Sequence, residues 1–306
     1  MTLRQAQDGS GTRCGLVAVI GAPNAGKSTL VNQLVGQKVA ITSAKAQTTR
    51  ARMLGIALHD DTQMVLVDTP GIFSPKRKLD RAMVSAAWDG TETADAVLLM
   101  VDPIKQRRHE LDPLVEALAK RPERKILVLN KVDAAKKEPL LALAQELGEK
   151  VAFFEVYFVS ALTGDGVPQL KEALAGMMPK GPWMYPEDQV SDASERLLAT
   201  EITREQLYKQ LHEELPYDSA VRPEKYIQRP DGSVEIHQQI VVMRDNQRAI
   251  VLGKGGSRIK AIGQAAREEL SELLGQKVHL FLHVKTDERW SEDKEIFEEL
   301  GLEWKG

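Results

Sequence analysis

The sequence predicts an α/β domain whose mostly parallel sheet has helices on both faces, followed by a smaller α+β domain. Between Gly15 and Ala161, short apolar runs alternate with segments of helical periodicity, which is typical of a parallel sheet. Residues 176–192 then bring three prolines and two glycines, which predict a linker. After this stretch, helix and strand patterns no longer alternate regularly. A length of 306 residues is sufficient for two domains.

Every predicted strand of the first domain ends just before polar residues. The apolar runs are GLVAVI at 15–20 and those within 64–71, 96–102, 125–133 and 153–161. Because ligands collect at the carboxyl ends of parallel strands, we expect the polar residues to meet at one edge of the sheet. The predicted division is a first domain at 13–180, a linker at 181–193 and a second domain at 194–306.

The second domain is predicted to have the order α-β-β-α-α-β. A helix opened by Ser194 comes first and ends near residue 215. The later elements are strands at 221–228 and 234–243, a short helix at 246–251, the loop GKGG at 253–256, a helix at 257–274 and a strand at 278–285. We expect the acidic segment 287–301 to form a terminal helix that packs on this domain.

Composition excludes several classes of protein. With 41 Lys and Arg against 44 Asp and Glu the net charge is -3, so the chain is not a uniformly basic nucleic-acid coat, and any nucleic-acid contact is local. The single cysteine, Cys14, excludes an internal disulfide, and the six histidines lack the spacing of a metal site. No apolar run reaches the length of a membrane span. We expect a cytoplasmic protein, which leaves room for loose attachment to a membrane surface.

The segment GAPNAGKS at 21–28 fits the P-loop pattern and stands between a predicted strand and a predicted helix. Backbone N–H groups of such a loop surround phosphate oxygens, Lys27 neutralises the β and γ phosphates, and the Ser28 hydroxyl is placed to bind Mg²⁺. The candidate nucleotide-binding residues here are Gly21, Ala22, Pro23, Asn24, Ala25, Gly26, Lys27, Ser28 and Thr29.

A second motif, DTPG at 68–71, follows the next strand. Asp68 is placed to reach Mg²⁺ through a water molecule, and the Gly71 N–H to meet a γ phosphate. A loop held by the γ phosphate is released when that phosphate leaves, so a conformational switch follows. Thr69, Pro70 and Ile72 complete this candidate loop.

The third motif, NKVD at 130–133, predicts recognition of guanine. The Asp133 carboxylate can accept hydrogen bonds from the N1 and N2 positions of guanine, the stem of Lys131 can cover the purine face, and Asn130 can tie the loop to the P-loop. Adenine would leave a buried carboxylate unpaired. Val132 belongs to the same loop, and Ser160 and Ala161 after the last strand can complete the base pocket.

These four signals, in this order and each after a strand, resemble the translation-factor-like class of GTPases. With ITSAKAQTTRARMLG at 41–55 and the GKGG domain behind, nearly the whole chain resembles the Era family, bacterial GTPases that work on the small ribosomal subunit. The resemblance implies a P-loop GTPase domain followed by an RNA-binding KH domain of type II. It assigns GTP binding to 21–28, Thr48 and Thr49, 68–72, 130–133 and 159–161.

The implied reaction is in-line attack of water on the γ phosphorus of GTP, with Mg²⁺ and Lys27 stabilising the phosphate charge. Of the threonine pair we predict that Thr49 closes over Mg²⁺, and we assign Lys27 and Thr49 as catalytic. Ile72 stands where Ras-like enzymes carry a water-orienting glutamine, so intrinsic turnover should be slow. In related GTPases the asparagine at position 24 helps to hold K⁺, which adds K⁺ to the expected cofactors.

Residues 243–267 concentrate six cationic side chains against one acid in a mildly acidic chain. The helix, GKGG and helix pattern resembles a KH module, whose glycine loop approaches the backbone of about four single-stranded nucleotides. The candidate RNA-binding residues are Arg248, Gly253, Lys254, Gly255, Gly256, Arg258 and Lys260.

The expected partners, from the resemblance, are the 3′ end of 16S ribosomal RNA and the 30S subunit, with peripheral membrane contact in addition; we expect a monomer. Two alternatives stay open. One is a GTPase whose second domain binds a protein or an anionic membrane surface. The other is a passive RNA-binding module that uses the nucleotide pocket only for stability.

Overall fold

The structure, a computed structural model, describes residues 11–43, 45, 48–50, 53–73, 75, 77–105, 108–211 and 215–304. The chain forms two compact units. The first unit comprises residues 1–40, 49–76 and 83–192, and the second comprises 41–48, 77–82 and 193–306. Two short segments that precede the expected linker therefore belong to the second unit.

The first unit is built on a six-stranded sheet with the order β2-β3-β1-β4-β5-β6. All neighbouring pairs are parallel except β2 and β3. The elements in chain order are β1 (Arg13–Gly21), α1 (Lys27–Val35), β2 (Met53–His59), β3 (Thr62–Asp68), α2 (Lys78–Glu92), β4 (Ala96–Val101), α3 (Arg108–Ala119), β5 (Lys125–Leu129), α4 (Lys137–Lys150), β6 (Glu155–Phe158) and α5 (Val167–Met177).

Both faces of this sheet carry a hydrophobic core. On β1 the side chains of Val17 and Val19 pack in one core cluster, and those of Ala18 and Ile20 pack in the other. Helices α1 and α5 contribute to the first cluster, and α3 and α4 contribute to the second. Because both faces are buried, the central strands are continuous apolar runs. The predicted parallel sheet with helices on both faces is confirmed.

Strand β2 was not predicted from the sequence. It pairs antiparallel with β3 from His59 and Thr62 to Met53 and Asp68, so the two strands form a hairpin around a two-residue turn. Asp60 takes a left-handed conformation there, with φ at 48°. The Asp-Asp pair between two apolar runs was the available signal for this hairpin.

Residues 180–192, which we call the strap, lie along the first unit and cover most of the expected linker. The Gln63 side chain accepts hydrogen bonds from the backbone N–H groups of Met184 and Tyr185 at 2.9 and 3.0 Å, and donates to the Tyr185 carbonyl at 2.9 Å. Further along, the Ile56 N–H donates to the Val190 carbonyl at 2.8 Å. The backbone of this proline-rich stretch is thus hydrogen-bonded to the backbone of β2 and to a side chain of β3.

The second unit contains α6 (Glu195–Gln210), β7 (Ser219–Gln228), β8 (Val234–Val242), α7 (Asp245–Leu252), α8 (Ser257–Leu274), β9 (Val278–Thr286) and α9 (Lys294–Glu299). Its sheet has the order β7-β8-β9, with β7 and β8 antiparallel and β8 and β9 parallel. The predicted order α-β-β-α-α-β is confirmed. Ser194 caps α6 by accepting the Leu197 N–H at 3.2 Å, as predicted.

Helix α6 ends at Gln210, earlier than predicted; residues 212–214 lie outside the described part of the chain. The predicted terminal helix is also shorter and consists of α9 preceded by one 3-10 turn at 290–292. Trp290, Ile296 and Phe297 are buried, which confirms that this segment packs on the second unit. Among the described residues, no helix combines the length and the apolar character needed to cross a membrane.

Candidate nucleotide-binding site and RNA-binding face

The loop at 21–28 joins the end of β1 to the start of α1. Gly26 precedes α1 with φ at 99°, and a Cβ atom there would lie 2.2 Å from Asn130 Nδ2. Only glycine fits this left-handed position with so close a neighbour. The Lys27 ammonium is buried and donates to the carbonyls of Gly21 and Ala22 at 3.2 and 3.0 Å. The loop therefore curls around its own lysine.

Burial lowers the pKa of Lys27 to about 8, and the nearby Asp68 carboxylate raises it without offsetting the effect of burial. A buried ammonium is costly unless anionic groups compensate its lost hydration. Phosphate oxygens at this loop would supply that compensation. The electrostatics of the loop thus favour an anionic ligand.

Three oxygen groups come together beside the loop. Ser28 Oγ donates to Asp68 Oδ2 at 2.7 Å and lies 2.9 Å from Thr49 Oγ1, which is itself 3.3 Å from the same carboxylate oxygen. All three residues are buried. Thr48 is placed differently, because its hydroxyl donates to the Lys45 carbonyl at 2.7 Å. Thr49, and not its neighbour, joins this cluster.

Two hydroxyl groups and a carboxylate are the hard oxygen donors that Mg²⁺ prefers, so the donor set fits that ion. In the described part of the chain, no group of three or more His, Cys, Asp or Glu side chains is placed to hold a metal ion. The Ser28, Thr49 and Asp68 cluster is a different kind of site, since hydroxyl groups supply most of it.

The segment after β3 is fastened to the start of the P-loop. Thr69 Oγ1 donates to the Val19 carbonyl at 2.8 Å, and the Ile72 N–H donates to the Gly21 carbonyl at 3.0 Å. The Ile72 side chain is buried in one core cluster of the sheet. No polar side chain therefore stands at this position to orient water.

A single amide side chain connects three loops at the carboxyl edge of the sheet. Asn130, only 2% exposed, donates from Nδ2 to the Ala25 carbonyl at 2.8 Å, and its Oδ1 accepts the Ala161 N–H at 2.9 Å. The Val132 N–H donates to the Val159 carbonyl at 3.2 Å, which joins the 130–133 loop to the 159–161 loop. In the latter loop the Ser160 hydroxyl accepts the Thr163 N–H at 3.2 Å.

Lys131 has a left-handed backbone with φ at 63°. Its ammonium donates to the Asn24 carbonyl at 2.9 Å and to Asp102 Oδ2 at 2.6 Å. Burial raises the pKa of the Asp102 carboxyl, but hydrogen bonds from Lys131 and from two backbone N–H groups outweigh it, so the pKa lies below its ordinary value. Asp133 is exposed.

Asp102 was not recognised from the sequence as part of this site. Its only signal was an aspartate at the end of β4, the position at which the other strands of the sheet carry their motifs.

The RNA-binding candidates lie on α7, α8 and the turn between them. Gly255 and Gly256 have φ at 60° and 77°, and no heavy atom lies within 4 Å of a Cβ built on either. Backbone approach to this turn is therefore open. Arg248, Lys254 and Lys260 are exposed. The other two candidates are half-buried: Gly253, whose φ is 72°, and Arg258, which donates to the Ile250 carbonyl at 3.2 Å.

A groove of 340 Å³ runs between α8 and β9 in the same unit. Its lining residues are Ile259, Lys260, Gly263, Gln264, Arg267, Leu280, Phe281 and Leu282. Of the predicted RNA-binding residues only Lys260 lines it. The β9 side of this groove was not predicted from the sequence, because the position of β9 at the edge of the sheet depends on strand order.

Comparison with known proteins covers both units. The family model described as "50S ribosome-binding GTPase" matches residues 16–131, and the KH domain model matches residues 214–291. The protein "GTPase Era" of Erythrobacter litoralis is 80% identical over 297 residues, which span 96% of this chain and 98% of that protein. "GTPase Era" of Afipia carboxidovorans is 56% identical over 293 residues, spanning 96% and 95% of the two chains.

Two solved structures superimpose on nearly the whole chain. An Era variant from Aquifex aeolicus bound to GDP and AlF4⁻ has a TM-score of 0.89 and 36% identity, and covers 95% of this chain and 99% of its own. A structure of Era in complex with MgGDPNP and nucleotides 1506–1542 of 16S ribosomal RNA has a TM-score of 0.90, with the same identity and coverage.

Proposed function

The chain belongs to the Era family of GTPases, and from that premise we propose that it is a GTP-controlled switch that binds single-stranded 16S ribosomal RNA near its 3′ end during maturation of the 30S subunit. It is a GTPase that converts GTP and water to GDP and phosphate, with Mg²⁺ as cofactor. The observation that carries the proposal is the buried cluster of Ser28, Thr49 and Asp68 beside Lys27, in a chain that also has a KH domain.

The P-loop supports phosphate binding by charge and by backbone. Lys27, now bonded to carbonyls of its own loop, would exchange these weak partners for β and γ phosphate oxygens. N–H groups of residues 21–28 and the start of α1 would face the same oxygens. Mg²⁺ bound by the Ser28 and Thr49 hydroxyls, and by Asp68 through water, would supply further positive charge to the phosphates.

For hydrolysis we propose that a water molecule attacks the γ phosphorus in line with the bond to the leaving oxygen. Lys27 stabilises the negative charge that develops on the phosphate oxygens, and Thr49 closes the site. The 69–72 segment brings only buried Ile72 to the position after the DTPG motif, so water is not oriented from there. Slow intrinsic turnover is the expected consequence.

For base recognition we propose that Asp133 accepts hydrogen bonds from guanine N1 and N2 while the Lys131 stem covers the purine face. Asn130 holds this loop against the P-loop and the 159–161 loop, so base and phosphate sites keep a fixed separation. The backbone of Ser160 and Ala161 closes the pocket.

The switch is supported by the segment that precedes Thr49. Residues 41–48 belong to the second unit. There the Thr42 N–H donates to Glu205 Oε1 at 2.8 Å, and the Lys45 ammonium donates to backbone carbonyls at the end of α6. Thr49 already lies beside Ser28 and Asp68, so Mg²⁺ and the γ phosphate would hold it there, and with it the chain segment that is bonded to α6. Loss of the γ phosphate would free Thr49 and this segment.

The RNA target is supported by the second unit. The relative with bound 16S ribosomal RNA aligns over 95% of this chain, and the open turn at Gly255 and Gly256 beside exposed Lys254 suits phosphodiester backbone. The family model described as "50S ribosome-binding GTPase" matches only residues 16–131, which exclude the KH domain. Its description therefore has no bearing on which ribosomal RNA the KH domain binds.

We propose a monomeric protein that acts in the cytoplasm, where the small subunit matures. Peripheral membrane contact is a secondary proposal, because exposed Lys254 and Lys260 offer anionic lipid headgroups the same charge that they offer RNA. Sedimentation with anionic vesicles, with and without competing RNA, tests it. Binding that RNA does not displace would place the membrane contact elsewhere.

The experiment that tests the main proposal measures affinity for a single-stranded RNA matching the 16S 3′ end, at one salt concentration, with GDP and with a non-hydrolysable GTP analogue. Tighter binding with the analogue supports the switch. Equal binding in both states contradicts it and favours the passive RNA-binding module, in which the nucleotide serves only stability.

A further inference from the structure

We propose that Asp102 is a positioning residue for guanine recognition: it anchors the Lys131 ammonium and so holds the lysine stem in place for the purine. The inference rests on the proposed role of Lys131 in the base pocket. It adds a residue outside all the motifs of the nucleotide site, on the strand that lies between β1 and β5.

The two carboxylate oxygens of Asp102 have separate partners. Oδ1 accepts the backbone N–H groups of Ile104 and Lys105 at 2.9 and 3.1 Å, which fixes the turn after β4. Oδ2 accepts the Lys131 ammonium at 2.6 Å. Asp102 itself is only 4% exposed. A buried carboxylate that divides its oxygens in this way has one orientation.

Lys131 needs this support because its backbone is in a left-handed conformation. A φ of 63° is unfavourable for a residue with a Cβ, and it persists only when surrounding contacts hold the backbone in place. Its carbonyl accepts the Ala134 N–H at 3.0 Å, and its ammonium donates to Asp102 Oδ2 and to the Asn24 carbonyl of the P-loop. With one end fixed by the backbone and the other by two acceptors, the aliphatic stem is stretched between the end of β4 and the P-loop.

A stem fixed in advance favours binding of a flat ring. An unanchored lysine samples many rotamers, and ordering it on binding costs affinity. The anchored ammonium also has its hydrogen-bond donors engaged by protein oxygens, which leaves the apolar stem as the surface offered to the base. Asp102 therefore acts on nucleotide affinity through Lys131, with no contact to the nucleotide required.

The decisive variant is Asp102→Asn. An asparagine keeps a carbonyl oxygen for the Ile104 and Lys105 N–H groups but places an NH₂ donor opposite the Lys131 ammonium. Removing a charge-assisted hydrogen bond of this kind is expected to weaken binding of GDP and of a GTP analogue by about tenfold. Because the stem contacts the base equally before and during hydrolysis, we expect KM for GTP to rise by about tenfold while kcat stays unchanged.

Asp95→Asn is the matched control. Asp95 stands at the opposite end of β4, and its Oδ2 accepts the Leu16 N–H at 2.9 Å. The same chemical change on the same strand is expected to leave nucleotide affinity within about twofold of wild type. Thermal unfolding of both variants is recorded in parallel. A tenfold affinity loss shared by the two variants would show a general effect on the strand and overturn the proposal.

A double variant tests whether Asp102 acts by positioning Lys131 or by fixing the turn after β4. Lys131→Met keeps an apolar side chain of similar length and removes the ammonium. In this background Asp102→Asn should change GDP affinity by less than about twofold, because the partner through which it acts is gone. A full tenfold loss there would mean that Asp102 works through the turn alone, and an unaltered affinity of the single Asp102→Asn variant would also overturn the proposal.

The failure of this inference is distinguishable from failure of the proposed function. If the wild-type protein binds ADP as tightly as GDP, guanine recognition by the NKVD loop fails. If the wild type prefers GDP and Asp102→Asn retains full affinity with normal thermal unfolding, only the role of Asp102 fails.

Discussion

The Ser28 hydroxyl donates a 2.7 Å hydrogen bond to the Asp68 carboxylate, which connects the end of the P-loop to the end of β3. Thr49 Oγ1 lies within 3.3 Å of both groups. Two hydroxyl groups and a carboxylate from distant parts of the sequence are thus preassembled, and an incoming Mg²⁺ would replace the hydrogen bonds between them, with Asp68 reaching the ion through water. Because Thr49 belongs to this cluster and Thr48 does not, the two threonines can be compared by mutation.

Thr49→Ala is expected to slow GTP hydrolysis by at least about tenfold, because the hydroxyl that closes the site in the GTP state is lost. GDP affinity should change less than about twofold, since that closure belongs to the γ phosphate. Single-turnover hydrolysis and GDP titration measure the two effects.

Thr48→Ala is the control, because its hydroxyl is bonded to the Lys45 carbonyl and stands apart from the cluster. It should hydrolyse GTP at nearly the wild-type rate. Equal slowing by both substitutions would remove the distinction between the two threonines.

Binding of GDP to the nucleotide-free protein should weaken as pH rises from 7 to 9. Burial lowers the pKa of Lys27 to about 8, and phosphate binding stabilises its charged form, so the free protein must take up a proton to bind above that pH. Affinity then falls by at most about tenfold per pH unit. Titrations at several pH values check this.

Lys27→Met supplies the comparison for the pH series. Its GDP affinity should be lower at pH 7 and nearly constant up to pH 9, and its hydrolysis should be lost. A slope in this variant equal to that of the wild type would assign the pH dependence to another group.

Much of the first unit was predictable because its central strands are buried on both faces. The apolar runs at β1, β3, β4 and β5 stand out against polar loops, and each strand except β4 leads directly into a recognised motif. Strand β2 was missed because it is a short edge strand, joined to β3 by a two-residue hairpin turn, and no recognised motif follows its carboxyl end.

The residues that escaped sequence analysis work through contacts between distant parts of the chain. Asp102 precedes a proline and resembles any loop aspartate until its 2.6 Å bond to Lys131 is known. The strap was interpreted as a linker because proline and glycine mark irregular backbone. Composition does not reveal that Gln63 binds that backbone across 122 residues of sequence.

Gln63→Leu should destabilise the first unit. The side chain is fully buried and makes hydrogen bonds to three backbone groups of the strap, and a leucine of similar size would remove all three bonds. The expected loss in the free energy of unfolding is about 2–4 kcal/mol. Chemical denaturation measures it.

Gln145→Leu is the matched control on α4, where the amide is exposed and makes a 3.3 Å bond to Glu149. Its free energy of unfolding should stay within about 0.5 kcal/mol of wild type. A Gln63→Leu protein as stable as this control would show that the strap contributes little to the fold.

Asn24 allows a test of potassium dependence. The residue is exposed in the P-loop with φ at 64°, so Asn24→Gly removes the side chain without straining the backbone. We expect wild-type turnover to be faster in KCl than in NaCl at equal ionic strength, and the difference to vanish in the variant. Equal wild-type rates in the two salts would exclude K⁺ from the site.

Charge reversal at the glycine-rich turn should separate the two activities. With Lys254 and Gly255 both replaced by Asp, an RNA backbone that approaches the open turn as proposed would meet two negative charges and added side-chain bulk. Affinity for a single-stranded 16S 3′ fragment should fall by at least about tenfold at moderate salt, while GTP hydrolysis stays near the wild-type rate because the nucleotide site lies in the first unit. Filter binding and phosphate release measure the two activities.

Lys294→Asp is the control: it reverses an exposed lysine of the same unit, paired with Glu298 on α9, and should leave RNA affinity nearly intact. Unchanged RNA affinity in the double variant would instead favour a protein or an anionic membrane surface as the partner of this face.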